Sequence, residues 1–297
     1  MIILQMPRMF MFYCLLVCAK CLLPSFHNTL NLNRLSMKVV KFDEPLTIEW
    51  VINSDHLDFA HRIKQLAAKQ PNIQIQLQDG ISIIESLTQY LTTKEYRNDR
   101  SLSLSKLSDC IWAISKLKIP LNSKDKLFLR ETVSQICSNS IGVDTEENKL
   151  SVLRLVSGLA KLGWLWDHDF PDATKELLIH VTSDSTTGRE LATLLYALGQ
   201  CNASLSVTYS TQLLSSFQYS IEVDSLTVQG LLACLHGLGR LDFRWTDMSS
   251  HLTNLVISKA TNISSPPDIS SLLQSMALLK CDWLLLPVVS NYCGCGF

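Results

Sequence analysis

The polar residues that could perform acid–base or metal chemistry are few, and they do not assemble into one site. The densest group is Trp166-Asp-His-Asp169, where a histidine between two carboxylates could bind a metal or transfer a proton. Asp169 stands ahead of Pro171 in a predicted turn, where it is more simply a helix N-cap. His56 and His61 are five residues apart, a poor spacing for two ligands on one helix face. No nucleotide-binding or hydrolase motif occurs, so we expect no enzyme, metal site, cofactor or small-molecule substrate.

Cysteine usage gives no stronger indication of a site. Cys18-Ala-Lys-Cys21 has the CxxC spacing of zinc and redox sites, and Cys293-Gly-Cys295 is a shorter pair near the C-terminus. Neither pair is accompanied by a second one. Three of the ten cysteines lie inside apolar helical runs, where a free thiol behaves as a small hydrophobic group: Cys110, Cys234 and Cys281. The pattern favours a reducing compartment over a disulfide framework.

Four basic residues recur at the same place in a repeated phrase and could contact phosphate groups. They are Lys116, Lys161, Arg240 and Lys280. Cationic side chains bind the nucleic-acid backbone without reading its sequence. Each of the four also lies near the predicted C-terminal end of a helix, where a cation stabilises the helix dipole by about 0.3–1 kcal/mol. Both interpretations remain open, and these four residues are the candidate RNA-binding residues.

The phrase that carries these residues occurs five times. Its position 1 is always small, position 2 aliphatic, position 4 polar and position 7 apolar, and position 3 is small in four copies. Small residues two apart indicate the close approach of a neighbouring helix. The copies begin at residues 113, 158, 197, 237 and 277, in steps of 45, 39, 40 and 40. They read Ala113-Ile-Ser-Lys-Leu117, Gly158-Leu-Ala-Lys-Leu162, Ala197-Leu-Gly-Gln-Cys201, Gly237-Leu-Gly-Arg-Leu241 and Ala277-Leu-Leu-Lys-Cys281.

The residues around each phrase predict a pair of helices. Apolar residues upstream recur at i, i+4 and i+7, as in Leu107, Ile111 and Ile114, which is the helical period. Each phrase therefore ends a first helix, called A. A second, amphipathic helix, called B, is predicted at about 124–137, 171–181, 207–221 and 248–260. The expected fold is all-α, an α-solenoid of stacked two-helix repeats of about 40 residues.

Capping signals set the expected helix starts. Thr187-Gly-Arg-Glu190 is a capping box, and Ser265-Pro-Pro-Asp268 places proline at an early helical position. The predicted caps of the B helices are Asn122, Asp169, Ser204 and Thr246.

The phrase Cys110-Ile-Trp-Ala-Ile-Ser-Lys-Leu117 and its degenerate copies resemble organellar helical-repeat proteins. These include the octotricopeptide and heptatricopeptide arrays, the RAP-domain proteins of apicomplexan mitochondria, and the helical-repeat domain of the RNA-editing substrate-binding complex. Trp112, Ala113, Lys116 and Leu117 match well, and the later copies match by residue class. The resemblance covers about residues 101–284 and implies a role in organellar RNA metabolism. No RAP-type segment is visible, so a nuclease activity is not implied.

The chain is expected to have four parts. Residues 1–42 are a targeting leader, disordered or cleaved, and residues 43–100 are an atypical N-terminal helical cap with helices at 56–69 and 81–92. Residues 101–284 hold five repeat units, of which the last is incomplete. Residues 285–297 form an irregular tail, which suggests a C-terminus truncated relative to its relatives.

The leader carries five basic residues and no Asp or Glu, whereas the rest has 21 basic and 27 acidic residues, a net charge of −6. Its apolar run, 9–23, is short for a membrane span. A transit peptide, a secretory signal and a true start at Met37 all remain possible explanations. Asn202-Ala-Ser204 and Asn262-Ile-Ser264 fit the glycan-acceptor pattern.

Three functions are consistent with these features. The first is a non-catalytic mitochondrial protein that binds single-stranded or structured RNA, or is a subunit of an RNA-processing, RNA-editing or ribosomal assembly. The second is a protein-binding scaffold of the armadillo or HEAT type, which the acidic body and the absence of a basic stripe in the sequence favour. The third is a secreted or membrane-anchored helical protein, or one targeted to the apicoplast, which the apolar leader and the glycan triplets favour.

Overall fold

The computed structural model describes residues 47–53, 59–70, 73, 75–92, 100–141, 146–182 and 186–281. Within these ranges the chain forms twelve α-helices and one short 3-10 helix, without a β-strand. The predicted all-α class is therefore confirmed. The predicted leader, the tail, both cysteine pairs, His56 and Trp283 lie outside the described residues.

The helices alternate with short turns along the described chain. In order they are α1 (Ile48–Ile52), α2 (Phe59–Lys69), α3 (Leu77–Thr92), α4 (Arg100–Leu117), α5 (Ser123–Ser140), α6 (Glu146–Lys161), α7 (Asp172–Thr182), α8 (Gly188–Gln200), α9 (Val207–Glu222), α10 (Val228–Arg240), α11 (Ser250–Ala260) and α12 (Pro266–Leu278). The 3-10 helix Trp245–Asp247 precedes α11. The predicted A helices are α4, α6, α8, α10 and α12. The four predicted B helices are α5, α7, α9 and α11, each confirmed to within three residues at its ends.

Helices pack against their next-but-one neighbours in the chain. Each A helix contacts the following A helix, from α4 through α12, and α2 packs on α4 in the same way. Among the B helices, α5 packs against α7 and α9 against α11. In units 1 to 3 the A helix also contacts its own B helix, as α4 does with α5. The buried apolar side chains of the described helices form one continuous cluster.

The small residues of the phrase lie at two different seams between A helices. A Cβ on Gly237, at position 1, would stand 2.3 Å from the carbonyl oxygen of Leu195 in the preceding A helix. A Cβ on Gly199, at position 3, would stand 2.8 Å from the carbonyl oxygen of Gly237 in the following one. Residues two apart on an α-helix point about 200° from each other. The close approach of a neighbouring helix, which the small residues predict, therefore occurs twice, once on each flank of an A helix.

Each of the first four phrases ends in the same C-terminal motif. Position 6 has a left-handed backbone, with φ between 51° and 78°, in Lys118, Gly163, Asn202 and Asp242. The N–H of position 7 donates to the carbonyl oxygen of position 2, for example from Ala203 to Leu198 at 3.0 Å. This is the Schellman motif, whose flanking residues make an apolar contact. It explains why position 2 is aliphatic and position 7 apolar.

The fifth phrase is out of register with the other four. Its left-handed residue is Lys280, with φ 54°, and Cys281 N–H donates to Met276 at 3.0 Å. By this motif the fifth phrase begins at Ser275, so the last step is 38 residues rather than 40. The helix α12 keeps the 13 residues of α8 and α10. The difference arises in unit 4, where the turn after α10 is longer but the B helix has 11 residues instead of 16.

The predicted caps are confirmed at some helix starts and wrong at others. Asn122 forms a capping box with Asp125, and Thr187 forms one with Glu190. Pro266 is the first residue of α12.

The predictions at Ser204 and Thr246 are wrong, because the side chains that cap α9 and α11 are Ser206 and Ser249. The Asp169 prediction is also wrong. Its carboxylate accepts the N–H of Leu165 at 2.8 Å and closes a turn before α7 begins.

Backbone hydrogen bonds also join one unit to the next. The N–H of Trp166, in the turn of unit 2, donates to the carbonyl oxygen of Cys201 at 2.9 Å. The N–H of Trp245, two units on, donates to Leu279 at 2.7 Å. Cys201 and Leu279 are the C-caps of α8 and α12. The turn of one unit therefore satisfies an orphan carbonyl at the end of the following A helix.

Candidate nucleic-acid interface

Three of the four predicted RNA-binding residues occupy equivalent places on the A helices. Lys116, Lys161 and Arg240 lie in the last turns of α4, α6 and α10, with exposed side chains. Lys280 does not belong with them, because the structural register places it at position 6. Its Nζ lies 3.5 Å from the carboxylate of Asp242, the residue at position 6 in the preceding unit. The position-4 residue of unit 5 is Leu278.

The three residues belong to a larger surface, which we call the A stripe. It consists of the helix positions 8, 4 and 1 residues before each of the first four phrases, together with position 4 of the phrase. These positions follow the spacing i, i+4, i+7, i+11, which keeps them on one side of an A helix. All sixteen side chains are exposed or half-buried: Ser105, Asp109, Trp112, Lys116, Leu150, Arg154, Ser157, Lys161, Arg189, Thr193, Tyr196, Gln200, Gln229, Ala233, His236 and Arg240.

The A stripe is basic although the body of the chain is acidic. It carries five basic residues and one acidic residue, Asp109. Several acidic side chains lie on B helices and in the turns between A and B helices, for example Glu131, Asp167 and Asp247, whereas Glu190 and Asp268 lie in the first turns of A helices. A basic stripe could not be predicted from net charge, because net charge averages over faces that folding separates. The sequence signal that could have revealed the stripe is helical spacing. Arg154 and Arg189 lie 7 and 11 residues before position 4 of their phrases, which puts them on the same side of the helix.

Two lysines of the stripe repel each other. Partial burial, and after it the positive charge of Lys116, lowers the pKa of Lys161. In the described part of the chain neither lysine forms an ion pair, and Arg189 forms none either. Neighbouring cations without a carboxylate between them are a site where an anion lowers the electrostatic free energy.

The single acidic residue of the stripe joins three helices. The Asp109 carboxylate on α4 pairs with Lys64 of α2 at 2.7 Å and with Arg154 of α6. Lys64 and Arg154 each lie 45 residues from Asp109, one unit away on either side. The carboxylate is only 16% exposed, whereas Lys64 is 42% and Arg154 38% exposed. Both cations therefore keep a solvent-facing side while Asp109 fixes their position.

Arg240 contacts the neighbouring A helix. Its Nε donates to the carbonyl oxygen of Gly199 at 3.0 Å, near the C-terminal end of α8. A cation at this end is favoured by the helix dipole, although the helix is the preceding one and not the one that carries Arg240. The guanidinium remains exposed and retains further N–H donors.

Aromatic rings alternate with these cations. The position immediately before the phrase holds Trp112, Ser157, Tyr196 and His236, all half-buried. The rings of Tyr196 and His236, on adjacent helices α8 and α10, have centroids 5.6 Å apart with a tilt of 35°. Burial, and after it the charge of Arg240, lowers the pKa of His236. Both causes favour the neutral form of its ring.

The other polar groups that could do chemistry are held by structural contacts. Asp167 accepts a hydrogen bond from Ser204 at 2.6 Å. Four cysteines are buried free thiols, Cys110, Cys137, Cys201 and Cys234, and Cys281 is buried as well. Burial raises the pKa of Cys137 to about 11 and that of Cys201 to about 12, which leaves both thiols protonated. The described residues contain no group of three or more metal-ligating side chains.

The chain matches no protein-family model, no curated protein and no solved structure. None of the described helices combines the length and apolar character needed to cross a bilayer. The A stripe is the surface of the described residues from which a function can be inferred.

Proposed function

We propose that residues 101–281 form an α-solenoid of two-helix repeats of about 40 residues. Two features support this architecture. The next-but-one packing of A helices recurs from α4 to α12, and the same C-terminal motif closes all five A helices. In such an array each unit contacts only its neighbours, so equivalent side chains line up along one face.

We propose that the A stripe binds RNA and that the protein acts without catalysis. The observation that carries this proposal is the excess of five basic residues over one acidic residue on a single face. Binding of a phosphate backbone would relieve the repulsion between Lys116 and Lys161 and release counterions. The rings of Trp112, Tyr196 and His236 lie beside the cations and offer surfaces on which unpaired bases could stack.

We place this activity in the mitochondrion, in a subunit of an RNA-processing, RNA-editing or ribosomal assembly. This part of the proposal rests on the acid-free, basic leader of residues 1–42 and on the resemblance of the phrase to organellar repeat proteins. Imaging of the full chain with a C-terminal fluorescent tag would test it. Signal in the secretory pathway would contradict it and support the secreted alternative.

The experiment that tests RNA binding uses the full chain and a fluorescent oligouridylate. Anisotropy titrations at about 50 and about 200 mM salt give the salt slope. We expect saturable binding that weakens as salt rises. The double variant Lys116→Gln/Lys161→Gln should bind more weakly, with a slope smaller by about 1.4, because each single-strand phosphate contact contributes about 0.7.

Two basic residues on a B helix provide a matched control. Lys124 and Arg130 are exposed basic residues of the B helix α5. The variant Lys124→Gln/Arg130→Gln removes the same charge, and its affinity and slope should equal those of the wild type. Equal losses in both double variants would show that net charge matters and the stripe does not. Absence of binding at low salt would reject the proposal.

A protein-binding scaffold is the second candidate, and exposed apolar side chains on the B helices favour it. Leu127 of α5 is 57% exposed, Val207 of α9 is 83% and Tyr219 of α9 is 63% exposed. Such residues contribute to protein interfaces when they are contiguous. Cross-linking in intact mitochondria, repeated with Leu127→Ser and Tyr219→Ser, would test this candidate. Partners lost from both variants would support it.

A further inference from the structure

The rings of Tyr196 and His236 form the one pair of half-buried aromatic side chains on the A stripe that are in contact with each other. They come from equivalent positions of adjacent helices, and their centroids are 5.6 Å apart. Neither ring lies in the core. An aromatic pair left half-exposed on a basic surface retains apolar area that a flat ligand could cover.

The A stripe around the ring pair is polar, and its Gln229 donates to the Asp268 carboxylate of α12 at 3.1 Å. In the two units that carry the ring pair, the A stripe holds Arg189 and Arg240 and no Asp or Glu. Gln200 stands one helical turn beyond Tyr196, and its Oε1 is a buried oxygen without a hydrogen-bond donor in the described part of the chain. A buried acceptor without a donor is costly, so rotation of this half-buried amide toward a ligand with an amino or imino N–H would supply the missing hydrogen bond.

We propose that Tyr196 and His236 form a stacking platform for one unpaired RNA base, with Gln200 as a hydrogen-bond partner of its edge and Arg240 beside the adjoining phosphate. This subsite rests on the proposed RNA-binding function and deepens it. The basic residues of units 1 and 2 hold the backbone, and the ring pair of units 3 and 4 holds a base.

The platform requires a single strand. In a duplex the faces of the bases are covered by their neighbours, and the base edges are paired. Stacking on an aromatic ring is also tolerant of base identity, because every base has a π-face. The subsite therefore selects unpaired over paired RNA, and it selects one base over another only through the amide of Gln200.

The test compares two strands of equal length, an oligouridylate and an abasic oligomer with the same phosphates. The wild type should bind the oligouridylate more tightly. Tyr196→Ala should weaken binding of the oligouridylate by at least about 5-fold, since one stacked base is worth roughly 1–3 kcal/mol. It should leave the affinity for the abasic strand and the salt slope unchanged. Tyr196→Phe, which keeps a ring, should bind like the wild type.

A second variant and a matched control make the outcome decisive. His236→Ala should reproduce the loss on the oligouridylate. Tyr219→Ala removes an exposed tyrosine from the B helix α9 and should have no effect. A variant that misfolds would lose the abasic strand as well, so the abasic strand reports on folding.

Each failure has its own meaning. Equal affinities of wild type, Tyr196→Ala and His236→Ala for the oligouridylate, with the salt slope intact, would overturn the platform and leave RNA binding by the stripe standing. Failure of the wild type to bind either strand would overturn the proposed function, and the platform with it.

Discussion

Gly237 on α10 and Leu195 on α8 lie in backbone contact. A Cβ on Gly237 would stand 2.3 Å from the Leu195 carbonyl oxygen, a distance that van der Waals repulsion forbids. The two helices therefore approach as closely as their main chains allow. This seam also sets the distance between Tyr196 and His236, each of which is one residue away from the contact.

We expect Gly237→Ala to destabilise the fold by about 1–3 kcal/mol, because the methyl group must push α10 away from α8. Gly163→Ala is the control. Gly163 has φ 78° but nothing within 4 Å of its missing Cβ, so its cost is backbone strain of about 1 kcal/mol. Chemical denaturation of both variants measures the difference. A Gly237→Ala protein as stable as the Gly163→Ala protein would contradict the close seam.

Introducing a glycine at Lys118 should have the opposite effect on stability from removing one. Lys118 occupies position 6 of unit 1 with φ 55°, a conformation that costs a residue with a Cβ roughly 1 kcal/mol. Lys118→Gly should therefore leave stability unchanged or raise it by up to about 1 kcal/mol, despite the greater freedom of the unfolded chain. Lys116→Gly, two residues earlier in the last turn of α4, should lower it by roughly 0.5–1 kcal/mol. Thermal unfolding followed by circular dichroism ranks the two, and the reverse order would reject the assigned motif.

A buried ion pair links α6 to α8. Lys149 Nζ lies 3.1 Å from the Glu190 carboxylate, and the two side chains are 8% and 10% exposed. Burial alone would raise the pKa of Glu190, but hydrogen bonds from the Thr187 N–H and from Lys149 outweigh burial and lower it. A group whose pKa is lower in the folded state stabilises the fold above its unfolded value. That contribution is lost as pH falls through the acidic range below about 4.5.

Removing one partner of this pair should cost more than removing both. Lys149→Met leaves a buried carboxylate without its cation, and we expect a loss of about 3–5 kcal/mol at pH 7. The double variant Lys149→Met/Glu190→Gln leaves no buried charge and should recover part of that loss. Urea unfolding at pH 7 and at several pH values below 4.5 measures both effects. The difference in stability between the wild type and the double variant should shrink as pH falls through that range, and a constant difference would argue against an ionised Glu190.

Asp109 holds Lys64 and Arg154 in place but also reduces the positive charge of the A stripe. Asp109→Asn removes its only acidic residue and releases Lys64 and Arg154, so oligouridylate binding should strengthen by roughly 2- to 10-fold at low salt. The stability loss should be at most about 1 kcal/mol, because both cations are more than one-third exposed. Asp125→Asn on α5 is the control with the same charge change. Weaker binding by Asp109→Asn would show that holding Arg154 in place matters more than the added charge.

The sequence predicted the elements well and their register less well. The apolar residues at positions 2 and 7 were recognised because the helical period and the C-terminal motif both depend on residues that are close in the chain. The register of α12 was predicted wrongly because Ala277-Leu-Leu-Lys matches the phrase at positions 1, 2 and 4, whereas Ser275-Met-Ala-Leu matches it at positions 1 to 3 but not at the polar position 4. Only the left-handed backbone at Lys280 distinguishes the two, and it depends on the length of the preceding turn and B helix.

The candidate site was predicted in part for a similar reason. Lys116, Lys161 and Arg240 were found through the phrase, whose spacing is fixed along one helix. Arg154 and Arg189 fall outside the phrase and were missed, although their helical spacing from position 4 puts them on the same side of α6 and α8. The contact between Tyr196 and His236 joins residues 40 apart in the chain, and no local pattern reports it.

The hydrogen bonds from Trp166 to Cys201 and from Trp245 to Leu279 both run from an N–H earlier in the chain to a carbonyl oxygen later in it. In each, the donor precedes the acceptor and belongs to the earlier unit. Because the ribosome makes the chain from its N-terminus, the donor turn emerges before the helix end that it satisfies. At these two junctions the donor for a helix end is therefore in place before that helix is made. The end of α8 also shows the reverse order, because its Gly199 carbonyl oxygen accepts a hydrogen bond from Arg240 of the unit made next.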